Sequence, residues 1–187
     1  MIHALLVDLD GTLARTTEAN WLSYGAALRE VGVEITREHF LDSVQGRNWR
    51  EFLPELLRAA NNTAEPAAVA QRKVELYRET LAEVPINLPL VKLLEDAHER
   101  FHLKTALVTS ASKANVLELL RVQNLHRLFD VIVTGDDVAE HKPSPACYRL
   151  AAQQLGVQPD QCLVYEDAEV GVAAAEAFGA LVIRIIF

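Results

Sequence analysis

Cysteine is scarce in this sequence: Cys147 and Cys162 are the only two among 187 residues. Two thiols make no disulfide framework for a chain this long, so both read as reduced residues of the core or surface. Long apolar runs are missing as well, since no stretch approaches the roughly 18 residues of a membrane span. Basic residues are outnumbered, 18 lysines and arginines against 26 aspartates and glutamates, for a formal net charge of −8. That balance argues against nonspecific grip on nucleic acid or on an anionic membrane. It leaves anionic small substrates open, because a local lysine or a metal ion can reverse the field within a cleft. The opening MIHALLVDLDGT has no basic n-region and its apolar run is broken by aspartate. A signal peptide is therefore not expected, and a cytoplasmic protein is. The six histidines share no ligand spacing and read as surface or boundary residues. Internal repeats and low-complexity tracts are absent.

What is present is a set of five short apolar runs: 4–7, 105–108, 131–133, 163–165 and 181–186. They are too short for helices and read as buried strands. Helical stretches with clear punctuation lie between the later ones. Pro89 opens LPLVKLLEDAHERF, with Val91, Leu94, Ala97 or His98, and Phe101 at helical spacing. Ser112 is placed to cap KANVLELLRVQ, and Ser144 to cap a helix whose first residue is Pro145. Gly156 and Gly179 stand where helices end. Strands alternating with helices at this spacing predict a parallel α/β sheet, Rossmann-like, covered on both faces.

Residues 14–85 break the rhythm with helical patterns only. EANWLSYGAALREVG, TREHFLDSVQ, NWREFLPELLRAA (bent at Pro54) and a long helix after Pro66 are expected there. In the last, Val69, Leu76, Tyr77, Leu81 and Val84 fall on one stripe. Trp21, Trp49 and Tyr24 read as core of this part. The expected organisation is an α/β core of residues 1–13 and 86–187, interrupted by a helical cap of residues 14–85.

In open parallel sheets ligands bind outside the carboxyl ends of the strands, and four of the five runs end in polar clusters. The first ends in Asp8-Leu9-Asp10-Gly11-Thr12 and the second in Thr109-Ser110-Ala111-Ser112. The third leads to Asp136-Asp137 and on to His141-Lys142-Pro143; the fourth ends in Glu166-Asp167. Side chains at i and i+2 of a strand face the same way, so Asp8 and Asp10 would sit together and repel. Several carboxylates with one lysine suit a hard cation such as Mg²⁺, which favours carboxylates, water and substrate phosphate. Hydroxyls at a helix N-terminus suit phosphate oxygens, and Lys142 would add a point charge. Asp8 could then attack phosphorus while Asp10 handles the proton. Blander readings exist for each: an Asp-Gly turn, a surface lysine, and helix caps at Thr109, Ser110 and Glu166-Asp167.

DLDGT, the strand-terminal TS, the HKP lysine and the ED pair resemble, in order and spacing, the four motifs of the haloacid dehalogenase superfamily. The helical insertion resembles the cap of its β-phosphoglucomutase and phosphoglycolate phosphatase branch. The resemblance implies a Mg²⁺-dependent phosphohydrolase of a small phosphorylated metabolite, working through an aspartyl-phosphate. It implies Asp8 as nucleophile, Asp10 as acid/base, and Lys142 stabilising both phosphate and nucleophile. Thr109 or Ser110 would bind phosphate. Asp8, Asp10 (through its backbone carbonyl), Glu166 and Asp167 would hold the metal. Asp136 and Asp137 are further candidates in a loop the branch uses variously. In the cap, Gly46-Arg47 or Arg50, together with Lys73, correspond to substrate residues; on their own terms these cations read as a solvated helix face. Arg15 replaces a common aspartate, and Asn20 replaces a mutase histidine. The sequence also stops short of a last strand and helix that relatives carry, which leaves Leu181–Phe187 as an expected sheet edge and pairing surface, for a monomer or weak homodimer.

Alternatives on the same scaffold are a phosphomutase, disfavoured by Asn20, and a dehalogenase, which lacks the second aspartate. A Schiff-base phosphonate hydrolase is disfavoured because Lys73 is the first lysine. A non-catalytic binding module is the alternative of another class.

Overall fold

The computed structural model describes residues 1–45 and 47–187, so Gly46 of the expected cap motif lies outside the described residues. The elements follow as β1 (Ala4–Val7), α1 (Thr17–Glu30), α2 (Arg37–Ser43), α3 (Trp49–Ala59) and α4 (Pro66–Arg78). Then come α5 (Leu88–Glu99), β2 (Lys104–Val108), α6 (Lys113–Val122), β3 (Val131–Val133), α7 (Ala146–Leu155), β4 (Cys162–Glu166), α8 (Glu169–Phe178) and β5 (Leu181–Arg184). The strands form one parallel sheet in the order β3-β2-β1-β4-β5. The α/β Rossmann-like fold read from the strand and helix alternation is the fold observed.

Strand alternation divides the core in two. Leu5 and Val7 face α5 and α6, where Leu90, Leu94, Val116 and Leu119 are buried. Ala4 and Leu6 face α7 and α8, against Tyr148, Ala151, Ala174 and Phe178. Both cysteines, free and buried, belong to this second layer. A third cluster lies within the helical stretch, with Tyr24, Leu28, Phe40, Phe52, Leu53 and Val69. Residues 19, 77, 81 and 84 of that stretch pack instead with the first sheet layer.

The helix signals hold, with local differences. Gly156 and Gly179 take left-handed φ values of 68° and 93° as helix ends. Pro89 stands in the first turn of α5 as expected, and Asn87 caps the helix, its side chain accepting from Leu90 N. Ser112 occupies the N-cap of α6 without a side-chain cap bond; Asp136 instead accepts from Lys113 N. The helix after Pro145 starts one residue later than expected. The long stripe after Pro66 ends at Arg78, and Leu81–Glu83 form a separate short 3₁₀ turn. Phe101 lies beyond the end of α5 and is 65% exposed.

One strand departs from its expected burial. Leu181 and Ile183 of β5 are 61% and 41% exposed, because β5 pairs only with β4 and packs on α8 from one side. None of the described helices is long and apolar enough to cross a membrane.

Candidate active site

The carboxyl ends of β1, β2 and β4 open onto one pocket. Asp8, Asp10, Thr109, Ser110, Lys142, Glu166 and Asp167 line it from the sheet side. Thr17, Asn20, Tyr24, Gln45, Arg47, Asn48 and Trp49 line it from the helical stretch.

Chain geometry at the end of β1 gives the two aspartates different partners. The strand ends at Val7, and Leu9 O accepts from both Leu13 N and Ala14 N, which turns the chain tightly. Gly11 makes the turn at φ +97°, and a Cβ there would lie 2.1 Å from Asp167 Oδ2. Leu9 is buried in the first core layer, while Asp8 and Asp10 both reach the pocket through different partners.

Asp8 belongs to an ionic cluster. Lys142 Nζ donates to Asp8 Oδ1 and to Glu166 Oε2, each at 2.7 Å, and to Val108 O at 3.2 Å. These side chains are nearly water-free: 5% exposed for Lys142, 8% for Asp8 and 1% for Glu166. Tyr148 OH donates to Glu166 Oε2 at 2.8 Å, and Asp167 N and Ala168 N donate to Oε1 at 3.2 Å. Glu166 thus has four donors on two oxygens. Gly171 is required for that fit, since a Cβ there would come within 2.0 Å of the Glu166 carboxyl carbon. Asp167 accepts from Thr12 Oγ1 at 3.1 Å. Oxygens of Asp8, Glu166 and Asp167 lie within 4.8 Å of one another.

The charges do not balance. Burial lowers the Lys142 pKa, but Asp8, Tyr148 and Glu166 overcome that and hold it well above its usual range. Asp8 is pushed well up by burial, with Glu166 and Asp10 adding to it and Lys142 only partly opposing them. Burial and Glu166 raise Asp167 too. Three clustered carboxylates against one ammonium call for further positive charge, and all-oxygen donors suit a hard divalent ion.

Asp10 faces the helical stretch. Thr16 Oγ1 donates to its Oδ1 in a short contact, and Asn20 Nδ2 does so at 3.4 Å. Thr109 Oγ1 donates to Oδ2 at 3.4 Å while accepting from Ala111 N at 3.1 Å. Behind Asn20, Lys73 Nζ donates to Asn20 Oδ1 at 2.6 Å and lies 3.9 Å from the Tyr77 ring centre. The expectation of a solvated Lys73 fails here: the residue is fully buried, its ammonium facing the Tyr24 and Tyr77 rings. Burial lowers its pKa to about 7, against a smaller opposing pull from Asp10.

The other candidate cations stand apart. Arg47, just before α3, lines the pocket but pairs with Glu55 at 3.0 Å and Glu51 at 3.8 Å on that helix. Arg50 stacks on Trp49 and pairs with Asp136, joining α3 to the loop after β3. Asp137 binds Thr134 N and Oγ1, at 2.9 and 2.6 Å, which holds that loop. Asn48 Nδ2 reaches Ser110 O at 3.3 Å over Gly135, where a Cβ would lie 2.6 Å from that nitrogen. Thr16, Asn48, Tyr148 and Gly171 are site residues that the sequence motifs do not mark, whereas Gly135 stands beside Asp136 in the third strand-end cluster. Thr12 stood inside the DLDGT motif. Tyr148 carried no signal beyond that of a buried helix position.

Fold and site together define a Rossmann-like α/β scaffold with an acidic centre at its strand ends. The family model of the haloacid dehalogenase-like hydrolases matches residues 2–179, and the chain belongs to that family. Fructose-1-phosphate phosphatase YqaB of Escherichia coli (strain K12) is 32% identical over 94% of this chain and 92% of its own length. A phosphorylated carbohydrates phosphatase of Thermotoga maritima is 31% identical over 95% of this chain and 82% of its own. Among solved structures, CbbY from Rhodobacter sphaeroides in complex with phosphate superposes with a TM-score of 0.90 at 31% identity, covering 98% of this chain and 86% of that one.

Proposed function

We propose that this protein is a Mg²⁺-dependent phosphatase of small phosphorylated carbohydrates, with Asp8 as nucleophile. The observation that carries the reading is the buried cluster of Asp8, Lys142, Glu166 and Asp167 beside Asp10. The phosphatase names of the relatives support the same reaction and point to sugar phosphates.

Asp8 and Asp167 offer the oxygens best placed to hold the ion, with Glu166, whose oxygens already accept four donors, adding negative charge behind them. When bound, Mg²⁺ neutralises phosphate charge and orients the ester. Lys142 holds Asp8 Oδ1, which leaves the second oxygen for phosphorus. An Asp8 oxygen attacks phosphorus, the bond to the ester oxygen breaks, and Asp10 gives that oxygen its proton. Asp10 then takes a proton from water, water attacks phosphorus, and the bond to Asp8 breaks to release phosphate. Thr109 orients Asp10 through its hydroxyl, so Ser110 is assigned as the hydroxyl that donates to phosphate. Residues 14–85 act as the cap that excludes water and contacts the leaving group.

The test is turnover of a panel of sugar phosphates and p-nitrophenyl phosphate, with Mg²⁺ and with EDTA. Activity should require Mg²⁺, and Asp8→Asn should lower kcat by about 10³ or more. Full activity of Asp8→Asn would overturn the assignment of the nucleophile.

A further inference from the structure

We infer that Asn115 reads a hydroxyl of the leaving group, making the phosphate monoester of an uncharged, polyhydroxylated compound the preferred substrate. This rests on the phosphatase reading above and narrows it.

Asn115 lies in the first turn of α6, five residues after Ser110, and lines the same pocket as Asp8 and Asp10. Its Oδ1 is buried, and it has no hydrogen-bond partner among the described residues. A buried carbonyl oxygen left unpaired is costly, and native proteins rarely retain one without a reason. Several neighbouring polar groups are already engaged. Asn48 spends Nδ2 on Ser110 O and Oδ1 on Arg50 N, and Gln45 spends Nε2 on Thr17 Oγ1. Thr16 and Asn20 are committed to Asp10. Asn115 therefore holds unspent hydrogen-bonding capacity beside the phosphate end of the pocket.

The chemistry of the missing partner follows from the pocket wall. A hydroxyl both donates and accepts, so it satisfies either edge of a carboxamide. A second phosphate or a carboxylate only accepts, and would leave Oδ1 unpaired. Of the two cations lining this pocket, Lys142 is enclosed by Asp8 and Glu166, and Arg47 is held by Glu51 and Glu55. Away from the carboxylates, Gln45, Asn48 and Ser112 share the wall with the Phe40, Trp49 and Phe52 rings, which suits the hydroxyls and carbon chain of a sugar or polyol.

The experiment compares kcat/KM for glycerol, pentitol and hexitol monophosphates with that for alkyl phosphates of the same length lacking hydroxyls. Wild type should favour the hydroxylated esters by about 10- to 100-fold. Asn115→Leu should reduce that preference by about 10-fold, the loss falling on the hydroxylated series. Wild type turning over both series equally would overturn the inference while leaving the phosphatase reading intact. So would an equal fall of both series in Asn115→Leu. The wild-type comparison can still overturn the inference if Asn115→Leu does not fold, and Asn115→Ala is then read in its place. No Mg²⁺-dependent turnover of any ester would overturn the phosphatase reading, and this inference with it.

Discussion

Two lysines are buried in this protein, and their surroundings treat them in opposite ways. At the sheet edge, Lys142 is wedged between Asp8 and Glu166 and keeps its proton. In the helical stretch, Lys73 meets two tyrosine rings and a neutral amide, and its pKa falls to about 7. Both lose comparable hydration; only one gains counter-ions. Burial alone therefore does not decide the state of an ammonium. The anions around it do, and at the sheet edge these are the groups assigned to catalysis.

The strongest way to break the contrast is to take the cation from the sheet edge. Lys142→Met leaves Asp8, Glu166 and Asp167 facing one another with no protein counter-charge. Breaking a buried ionic network in this way costs about 3–5 kcal/mol, roughly a 10 °C fall in Tm for a chain of this size. Asp8 and Asp167 already have folded pKa values raised above the ordinary carboxylate range, and removing Lys142 takes away the charge that opposes this at Asp8. The deficit should then shrink as pH falls towards the range where they protonate. Mg²⁺ should restore part of the lost Tm, and more in Lys142→Met than in wild type. An unchanged Tm at neutral pH would mean that Lys142 is not the balancing charge. Phosphatase activity should fall with it, by about 10²-fold or more.

The complementary change sharpens the contrast from the helical side. Folded Lys73 loses its proton at about pH 7, whereas in the unfolded chain it does so near 10.5. Between those values the unfolded state binds the extra proton, so stability rises with pH by at most about 1.4 kcal/mol per unit. Below about pH 7 both states are protonated and the contribution is flat. Lys73→Met lacks this titration. Urea unfolding at pH 7 and pH 9 should therefore show a steeper rise for wild type, by about 2 kcal/mol over the interval. Equal slopes would show that Lys73 keeps its proton beside Asn20 and the tyrosines.

The same contrast separates what the sequence reveals from what it hides. The strands and the motif residues at their ends are legible because each is local. Apolar runs mark β1, β2 and β4, and topology brings Asp8, Thr109 and Glu166 to one edge without knowledge of any side-chain contact. Lys73 is illegible for the opposite reason. A lysine among the polar positions of PAAVAQRKVELYR reads as solvated, and its burial depends on Tyr24 and Asn20 from α1 meeting α4. Tyr148 and Gly171 were hidden in the same way, since their bearing on Glu166 exists only once α7 and α8 pack on the sheet. For β5 the apolar run alone reads as buried while the expected sheet edge is what is observed, because an apolar run reports β-propensity, not whether a second layer covers it.

The smallest expected effect tests the surface counterpart of these buried ions, where α3 meets the loop after β3. Arg50 pairs with Asp136 while 54% exposed, so solvent screens the pair and it contributes at most about 1 kcal/mol. Asp136 does more than Arg50, because its other oxygen accepts from Lys113 N at the start of α6. Its removal gives up a helix cap, worth about 1 kcal/mol in itself. Asp136→Ala should thus destabilise more than Arg50→Ala, and 0.5 M salt should narrow the loss in Arg50→Ala, since salt screens an exposed pair. Equal losses in the two variants would mean that the cap contributes nothing and the ion pair is the whole of the Asp136 effect.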